Sequence, residues 1–224
     1  MFCRHCRSWA ELRVVMGRKV LNDYPKLVLH PDPSQGRIDF TKVFNRSAPV
    51  HIEVGSGKGT FLTSQAQAHP DMDFLGIEWG SRYYRYAVDR IGRHALSNVR
   101  MIRADASLFI RDLVLNDAIK GLHVYFPDPW PKRRHRRRRF LCQENIEQIV
   151  RILKPGGRLQ VVTDHAGYFQ DSQQILMGFS DWLDYVQFQP TAGAGTGEWV
   201  GTNFERKYLK EERAFYAIAV EKKR

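Results

Sequence analysis

Asp128 stands in the segment Phe126-Pro127-Asp128-Pro129-Trp130-Pro131-Lys132, where three prolines and a tryptophan stiffen the chain around one carboxylate. A rigidly aimed carboxylate holds a polar substrate or offsets charge that develops on it. The residues that follow, Arg133-Arg134-His135-Arg136-Arg137-Arg138-Arg139, complete a block over 132–139 in which Lys132 and six arginines fill seven of eight positions. Like charges this dense repel one another unless a polyanion neutralises them. A solvated surface loop is the plainer alternative. Side by side, the carboxylate and the block point to chemistry on a nucleic acid.

A second constellation is Glu53-Val54-Gly55-Ser56-Gly57-Lys58-Gly59. Gly55 and Gly57 let the backbone turn tightly and approach a ligand. A helix starting here offers its N-terminal N–H groups. The spacing is neither a GxGxxG fingerprint nor a P-loop. Glu53, directly ahead of the glycines, disfavours a pyrophosphate and suits a ligand with a positive end, such as the amino group of a methionine moiety. Acids also end the next strands. Glu78 is spaced for the two hydroxyls of a ribose, Asp105 for an adenine amino group, and Asp128 follows the fourth strand. Singly, Glu53 or Asp105 equally well caps a helix, and Glu78 beside Trp79 is an ordinary surface residue. The ordered series carries the reading, because ligands of open α/β sheets sit at the carboxyl ends of strands.

The elements that must position these acids alternate. Apolar runs predict strands at Val50–Val54, Phe74–Trp79, Val99–Ala104, Leu122–Phe126 and Leu159–Thr163, the last after a Pro155-Gly156-Gly157 turn. Between them, helical spacing covers Phe61–Ala68, Tyr83–Leu96, Leu108–Leu115 and Leu141–Leu153. Continuous apolar strands alternating with helices imply a parallel sheet covered on both faces. Trp182–Phe188 and Ala214–Val220 read as two more strands, joined without a long crossover helix, which suggests an antiparallel ending. Within a glycine-rich stretch over 191–202, residues 193–201 read as a mobile lid leading into a short helix over 202–210. Residues 1–45 show no strong periodicity and read as an N-terminal extension to one domain over 46–224.

The chain has 224 residues, 43% hydrophobic and 26% charged, which suffices for one α/β domain with a full core. The formal charge is +11 with a pI near 9.8. No apolar run spans a bilayer, and the first residues lack the apolar core of a secretory signal, so the cytoplasm is the expected compartment. Three cysteines form no disulfide framework. Cys3-x-x-Cys6 lacks a second ligand pair, so no metal is expected.

Taken together, Ile52–Gly59, Leu75–Trp79, Ala104-Asp105-Ala106, Phe126–Lys132, Val162–His165 and Thr202–Arg206 resemble class I S-adenosylmethionine-dependent methyltransferases. More narrowly, they resemble the tRNA (guanine-N7-)-methyltransferase family, which modifies guanosine 46 of the variable loop. The match spans the chain from about residue 50 to its end, and FPDPWPK is its most specific motif. The resemblance implies an α/β, Rossmann-like, mostly parallel seven-stranded sheet with helices on both faces and an antiparallel C-terminal strand. It implies S-adenosyl-L-methionine as cofactor, bound by Glu53, Gly55, Gly57, Glu78, Asp105 and Asp128, with Asp128 also the active-site residue. It implies tRNA as partner. Lys132, Asp164, Thr202, Asn203, Phe204 and Glu205 would hold the substrate base, and Arg134, His135, Arg136, Arg137, Arg138 and Arg139 the RNA. Two departures stand out: positions 136–139 are all arginine, and the first 45 residues match weakly. The oligomeric state stays open between monomer and homodimer.

Guanine N7 has a free lone pair and no proton, so methylation there needs no general base. The demands are alignment and stabilisation of charge on the base, for which Asp128, Asp164 and Glu205 are the expected carboxylates. Thr202-x-x-Glu205 is also a capping box, which alone would explain it. Trp199 and Phe204 are candidates to stack on a flipped-out base, and His165 reads as structural or RNA-contacting. The alternatives are a methyltransferase acting on another RNA or on a protein side chain, and a non-catalytic RNA-binding protein on the same scaffold. FPDPWPK disfavours the former. The intact series of acids disfavours the latter.

Overall fold

The computed structural model describes residues 21–32, 34 and 36–224. The first part of the expected N-terminal extension, with Cys3 and Cys6, lies outside the described residues. In chain order the elements are α1 Phe40–Phe44, β1 Val50–Val54, α2 Thr60–Ala68, β2 Asp73–Ile77, α3 Ser81–Arg93, β3 Val99–Ile102, α4 Ala106–Leu113, β4 Ile119–Tyr125, α5 Gln143–Ile152, β5 Leu153–Thr163, α6 Ala166–Met177, β6 Leu183–Tyr185, α7 Asn203–Lys210 and β7 Tyr216–Lys222.

Seven strands form one sheet in the order β3-β2-β1-β4-β5-β7-β6. The pairs from β3 through β5 are parallel, whereas β7 runs antiparallel to both β5 and β6. The order reverses between β1 and β4, where the crossovers leave a crevice at the carboxyl ends. Every residue of β2 is buried, as a strand covered on both faces requires. Alternate side chains feed two cores. Ile52, Leu75 and Ile102 pack with α1, α4, α5 and α6, while Phe74, Val99 and Met101 pack with α2 and α3. Leu29, Ile38, Phe40, Val43 and Phe44 pack on the first of these layers, and Leu27 and Val28 on the second beside β3. Leu29 N–H donates to Met101 O at 2.9 Å, and Ile38 N–H to Leu113 O at 2.7 Å.

Two expectations need correction, and one helix had none. Pro155-Gly156-Gly157 is no turn ahead of the fifth strand but an irregularity inside β5, which pairs Leu153 with Ile119 and then Arg158 with Gly121. The strand expected over 182–188 is only three residues long. Helix α6 was not anticipated. Its buried positions Tyr168, Ser172 and Leu176 recur every four residues, a spacing weakened as a signal by the glutamines and by a serine on the buried face.

Candidate active site

The glycine loop after β1 takes the left-handed conformation three times, at Gly55, Gly57 and Gly59 with φ of 76°, 53° and 68°. A side chain at these positions would be strained. At Gly59 an added Cβ would also stand 3.1 Å from Ala87 Cβ of α3. The loop is held from the next strand: Glu78 Oε2 accepts from Gly57 N–H at 2.8 Å and Glu78 Oε1 from Gly80 N–H at 2.7 Å. Glu53 is buried, and its Oε2 has no partner among the described residues. Burial raises its carboxyl to about 8, with the Glu78 charge adding to the rise and the Ser56 hydroxyl opposing it.

Two cavities meet over this loop. One of about 280 Å³ is lined by Glu53, Lys58, Thr60, Tyr125, Asn203 and Lys207 among others. The other, of about 370 Å³, is lined by Glu78, Trp79, Ala104, Ala106, Asp128 and Trp130 among others. Gly55, Gly57, Tyr83, Tyr125, Phe126 and Phe204 border both. The cleft therefore carries a buried acid at one end and an apolar and aromatic wall with two acids at the other.

Asp128 is exposed on the second cavity. The turn that carries it contains two bulky residues at positive φ, Phe126 at 50° and Trp130 at 40°. Such conformations cost free energy and persist only where surroundings enforce them. Phe126 N–H donates to Val162 O at 2.7 Å, and its ring packs edge-on to Tyr208 and Phe215. Arg138 lies over the Trp130 ring, 5.0 Å from its centroid, and His135 meets the ring edge.

The 132–139 block divides in two. Arg133–Arg138 forms a 3₁₀ turn with no buried residue, with Arg136 ion-paired to Asp171. Arg139 departs from the expectation of an RNA contact. It is only 5% exposed, donates from Nε to Pro129 O at 2.8 Å, pairs with Asp171 and packs on Tyr168. A guanidinium so enclosed is not presented to phosphate; it ties the proline turn to α6.

Glu205 also departs from its expected place. It is fully buried, and its carboxylate accepts the backbone N–H groups of Trp199, Val200 and Gly201. Thr202 Oγ1 meanwhile accepts from Glu205 N–H at 3.1 Å. The capping reading prevails, in a form where the acid gathers three donors of the preceding loop. That loop, expected as a mobile lid, is laced by these bonds and by the Arg206–Glu198 pair at 2.9 Å. Of its two aromatics, Phe204 remains 47% exposed at the cavities while Trp199 packs edge-on to Phe188. Thr202 and Asn203 line the first cavity.

Three further residues lie off the two cavities. Asp105 Oδ1 caps α4, accepting from Ser107 and Leu108 N–H, and borders a separate hollow beside His30 and Leu108. Asp164 pairs with Arg213 at 2.7 Å. Lys132 is exposed where it enters the 3₁₀ turn. His165 is structural: its Nδ1 accepts from Tyr168 N–H at 3.1 Å as the cap of α6. Sequence reasoning missed Trp79, which is 70% exposed on the second cavity, Tyr83, and Tyr125. An exposed aromatic directly after the acid of β2 was the available signal for Trp79.

Among the described residues no cluster of His, Cys, Asp or Glu is arranged to hold a metal, and no helix is long and apolar enough to cross a membrane.

Comparison with known proteins agrees with this geometry. The family model Methyltransf_4, described as "Putative methyltransferase", matches residues 47–218. A tRNA (guanine-N(7)-)-methyltransferase of Geobacillus thermodenitrificans is 33% identical over 210 residues, 94% of this chain and 93% of the relative. Its counterpart in Nitrosomonas eutropha is 38% identical over 143 residues, and there the match spans 64% of each chain. Among solved structures, the aminoglycoside resistance methyltransferase NpmB1 superposes with a TM-score of 0.58 at 18% identity, covering 87% of this chain and 95% of that one. At that identity the likeness speaks for the fold alone. The sequence matches over most of the chain, the sheet topology and the acid-lined cleft agree: the chain belongs to the tRNA (guanine-N(7)-)-methyltransferase family.

Proposed function

We propose that this chain transfers a methyl group from S-adenosyl-L-methionine to N7 of guanosine 46 in the variable loop of tRNA, leaving 7-methylguanosine. Residues 46–224 act as the methyltransferase domain, and 1–45 as an extension to it. One observation carries the reading. A buried acid with an unpartnered oxygen and an exposed, rigidly mounted acid face one continuous cleft, with exposed arginines beside it.

The residues fit the cofactor. Glu53 Oε2 lacks a donor, which a ligand ammonium would supply. Glu78 already receives two backbone N–H groups, yet each oxygen keeps a lone pair for a hydroxyl. Trp79, Ala104 and Ala106 offer an apolar wall for a purine. The bound cofactor supplies an electrophilic methyl on a sulfonium.

The chain's own residues then have two tasks. Asp128, fixed by its turn, accepts from the N–H groups of guanine and offsets the positive charge that methylation leaves on the ring. Phe204 and Tyr83, at the junction of the cavities, give the base an aromatic flank. No side chain has to remove a proton, because N7 carries none. Lys132, Arg134, His135, Arg136, Arg137 and Arg138 bind the RNA backbone. Thr202 and Asn203, at the rim of the first cavity, and Asp164, held by Arg213 outside both cavities, are assigned to the tRNA and not to the cofactor.

The test is mass analysis of nucleosides from tRNA incubated with the protein and S-adenosylmethionine. Appearance of 7-methylguanosine supports the reading. Methylation of another base, or none, overturns it.

A further inference from the structure

His51, His123 and Tyr125 form a hydrogen-bonded row across β1 and β4, in which His123 and Tyr125 are buried and His51 is half-buried. His51 Nδ1 stands 2.9 Å from His123 Nε2, and His123 Nδ1 stands 2.8 Å from the Tyr125 hydroxyl. Alternation along β4 puts His123 and Tyr125 on one face, where the rings of both pack against Phe61 of α2. Three polar groups in the core are costly unless each is paired, and the reading above gives the row no part.

Proton accounting fixes the direction of the row. Burial holds both imidazoles below the usual histidine range, with His69 and Lys120 contributing at His51 and His51 at His123. Each ring therefore carries one proton. Two arrangements are open. In one, Tyr125 donates to His123, His123 donates to His51, and His51 Nε2 bears the last N–H. In the other, His51 donates to His123, His123 donates to Tyr125, and His51 Nε2 is a bare lone pair. His51 Nε2 is buried with no partner among the described residues. An orphaned N–H is the rarer and costlier outcome, so the second arrangement is favoured. Tyr125 then accepts from His123, and its own O–H must find an acceptor elsewhere.

That acceptor lies in the cleft. Tyr125 lines the first cavity together with Glu53, Lys58 and Lys207. Glu53 Oε2 has no partner among the described residues, and in the favoured arrangement the Tyr125 hydroxyl, accepting from His123, is a donor still to be matched. A ligand that satisfies both carries a cationic donor and an anionic acceptor a few bonds apart, as an α-amino acid does. We infer that Tyr125, aimed by His123 and His51, donates its hydroxyl proton to the α-carboxylate of the cofactor's amino-acid end, while Glu53 takes the ammonium. This assignment rests on the cofactor reading above. His51 and His123 act through Tyr125 and are positioning residues.

The experiment is calorimetry of three ligands on three proteins. The ligands are S-adenosylmethionine, S-adenosylhomocysteine and decarboxylated S-adenosylmethionine, which keeps the ammonium and lacks the carboxylate. The proteins are wild type, Tyr125→Phe and His123→Leu, each checked by a melting curve. A hydrogen bond to a charged group predicts a roughly ten- to hundredfold loss for Tyr125→Phe with the two carboxylate ligands. Binding of the decarboxylated ligand should change less than about twofold. His123→Leu should show the same selectivity, more weakly. Wild type must itself prefer S-adenosylmethionine to its decarboxylated form by about tenfold or more, which requires no variant to fold. Equal losses for all three ligands, no loss, or no preference in wild type overturns the assignment and leaves the cofactor reading intact. Failure of wild type to bind any of the three overturns the cofactor reading, and this inference with it.

Discussion

Glu78 Oε2 accepts a 2.8 Å hydrogen bond from the backbone N–H of Gly57, so the acid that ends β2 also fixes the loop that follows β1. One carboxylate thereby shapes the floor of both cavities. Replacing Glu78 by Ala removes the tether and the acceptors for a ribose together. Cofactor affinity should fall by roughly 1–3 kcal/mol, read by calorimetry. Wild-type affinity in the variant would remove Glu78 from the site.

Glu53 gives the cofactor affinity a pH dependence. Its carboxyl is raised to about 8, so near neutral pH it is mostly protonated in the free protein. Pairing with an ammonium requires it charged, so binding releases a proton. Between pH 6 and 7, below the range in which an α-amino group itself titrates, affinity should rise by up to about tenfold. Calorimetry in buffers of different ionisation enthalpy should show close to one proton released at pH 7. The same group makes stability fall as pH rises from the ordinary carboxylate value toward 8, because the folded state alone keeps the proton there. Glu53→Gln should abolish the proton release and flatten that part of the stability profile.

Glu205 holds three backbone donors in the core of the loop before α7. Glu205→Ala strands them and should lower stability by about 3 kcal/mol or more, measured by denaturant unfolding. A variant with wild-type stability and lost RNA binding would instead restore the substrate-contact reading.

The arginine block should separate by exposure. Neutralising Arg134, Arg136 and Arg137 should weaken tRNA binding and flatten its salt dependence by about 0.7–0.9 log units of slope per lost phosphate contact. Arg139→Ala should leave the slope unchanged and lower the melting temperature, since Arg139 braces Pro129 and Asp171.

The sheet was legible because short stretches rich in apolar residues alternate with longer stretches of helical spacing, and the few polar residues inside the strands, such as His51, Arg100 and His123, do not break that alternation. Of the four acids read at strand ends, Glu53, Glu78 and Asp128 come together on the two cavities, whereas Asp105 turns to cap α4 beside a separate hollow. Legibility stopped where one residue type serves two purposes. Arg139 sits in an unbroken run of arginines, and nothing local distinguishes the one that turns inward toward Asp171, 32 residues later in the chain. Glu205 fits both a capping box and a substrate contact, and only the three N–H groups converging on it decide. Tyr125 read as part of an apolar strand, because its partnership with His51 depends on β1 and β4 being neighbours.

Asp128→Asn separates the charge of the carboxylate from its shape. It keeps the turn and one acceptor oxygen but removes the charge, and Pro127, Pro129 and Pro131 continue to stiffen the backbone. The measurement is single-turnover formation of 7-methylguanosine at position 46, with saturating tRNA and S-adenosylmethionine, beside a melting curve and a tRNA-binding titration. The expected result is a folded variant that binds tRNA normally, with its methyl-transfer rate lowered about 10²–10³-fold. A near-normal rate in that folded variant would contradict it.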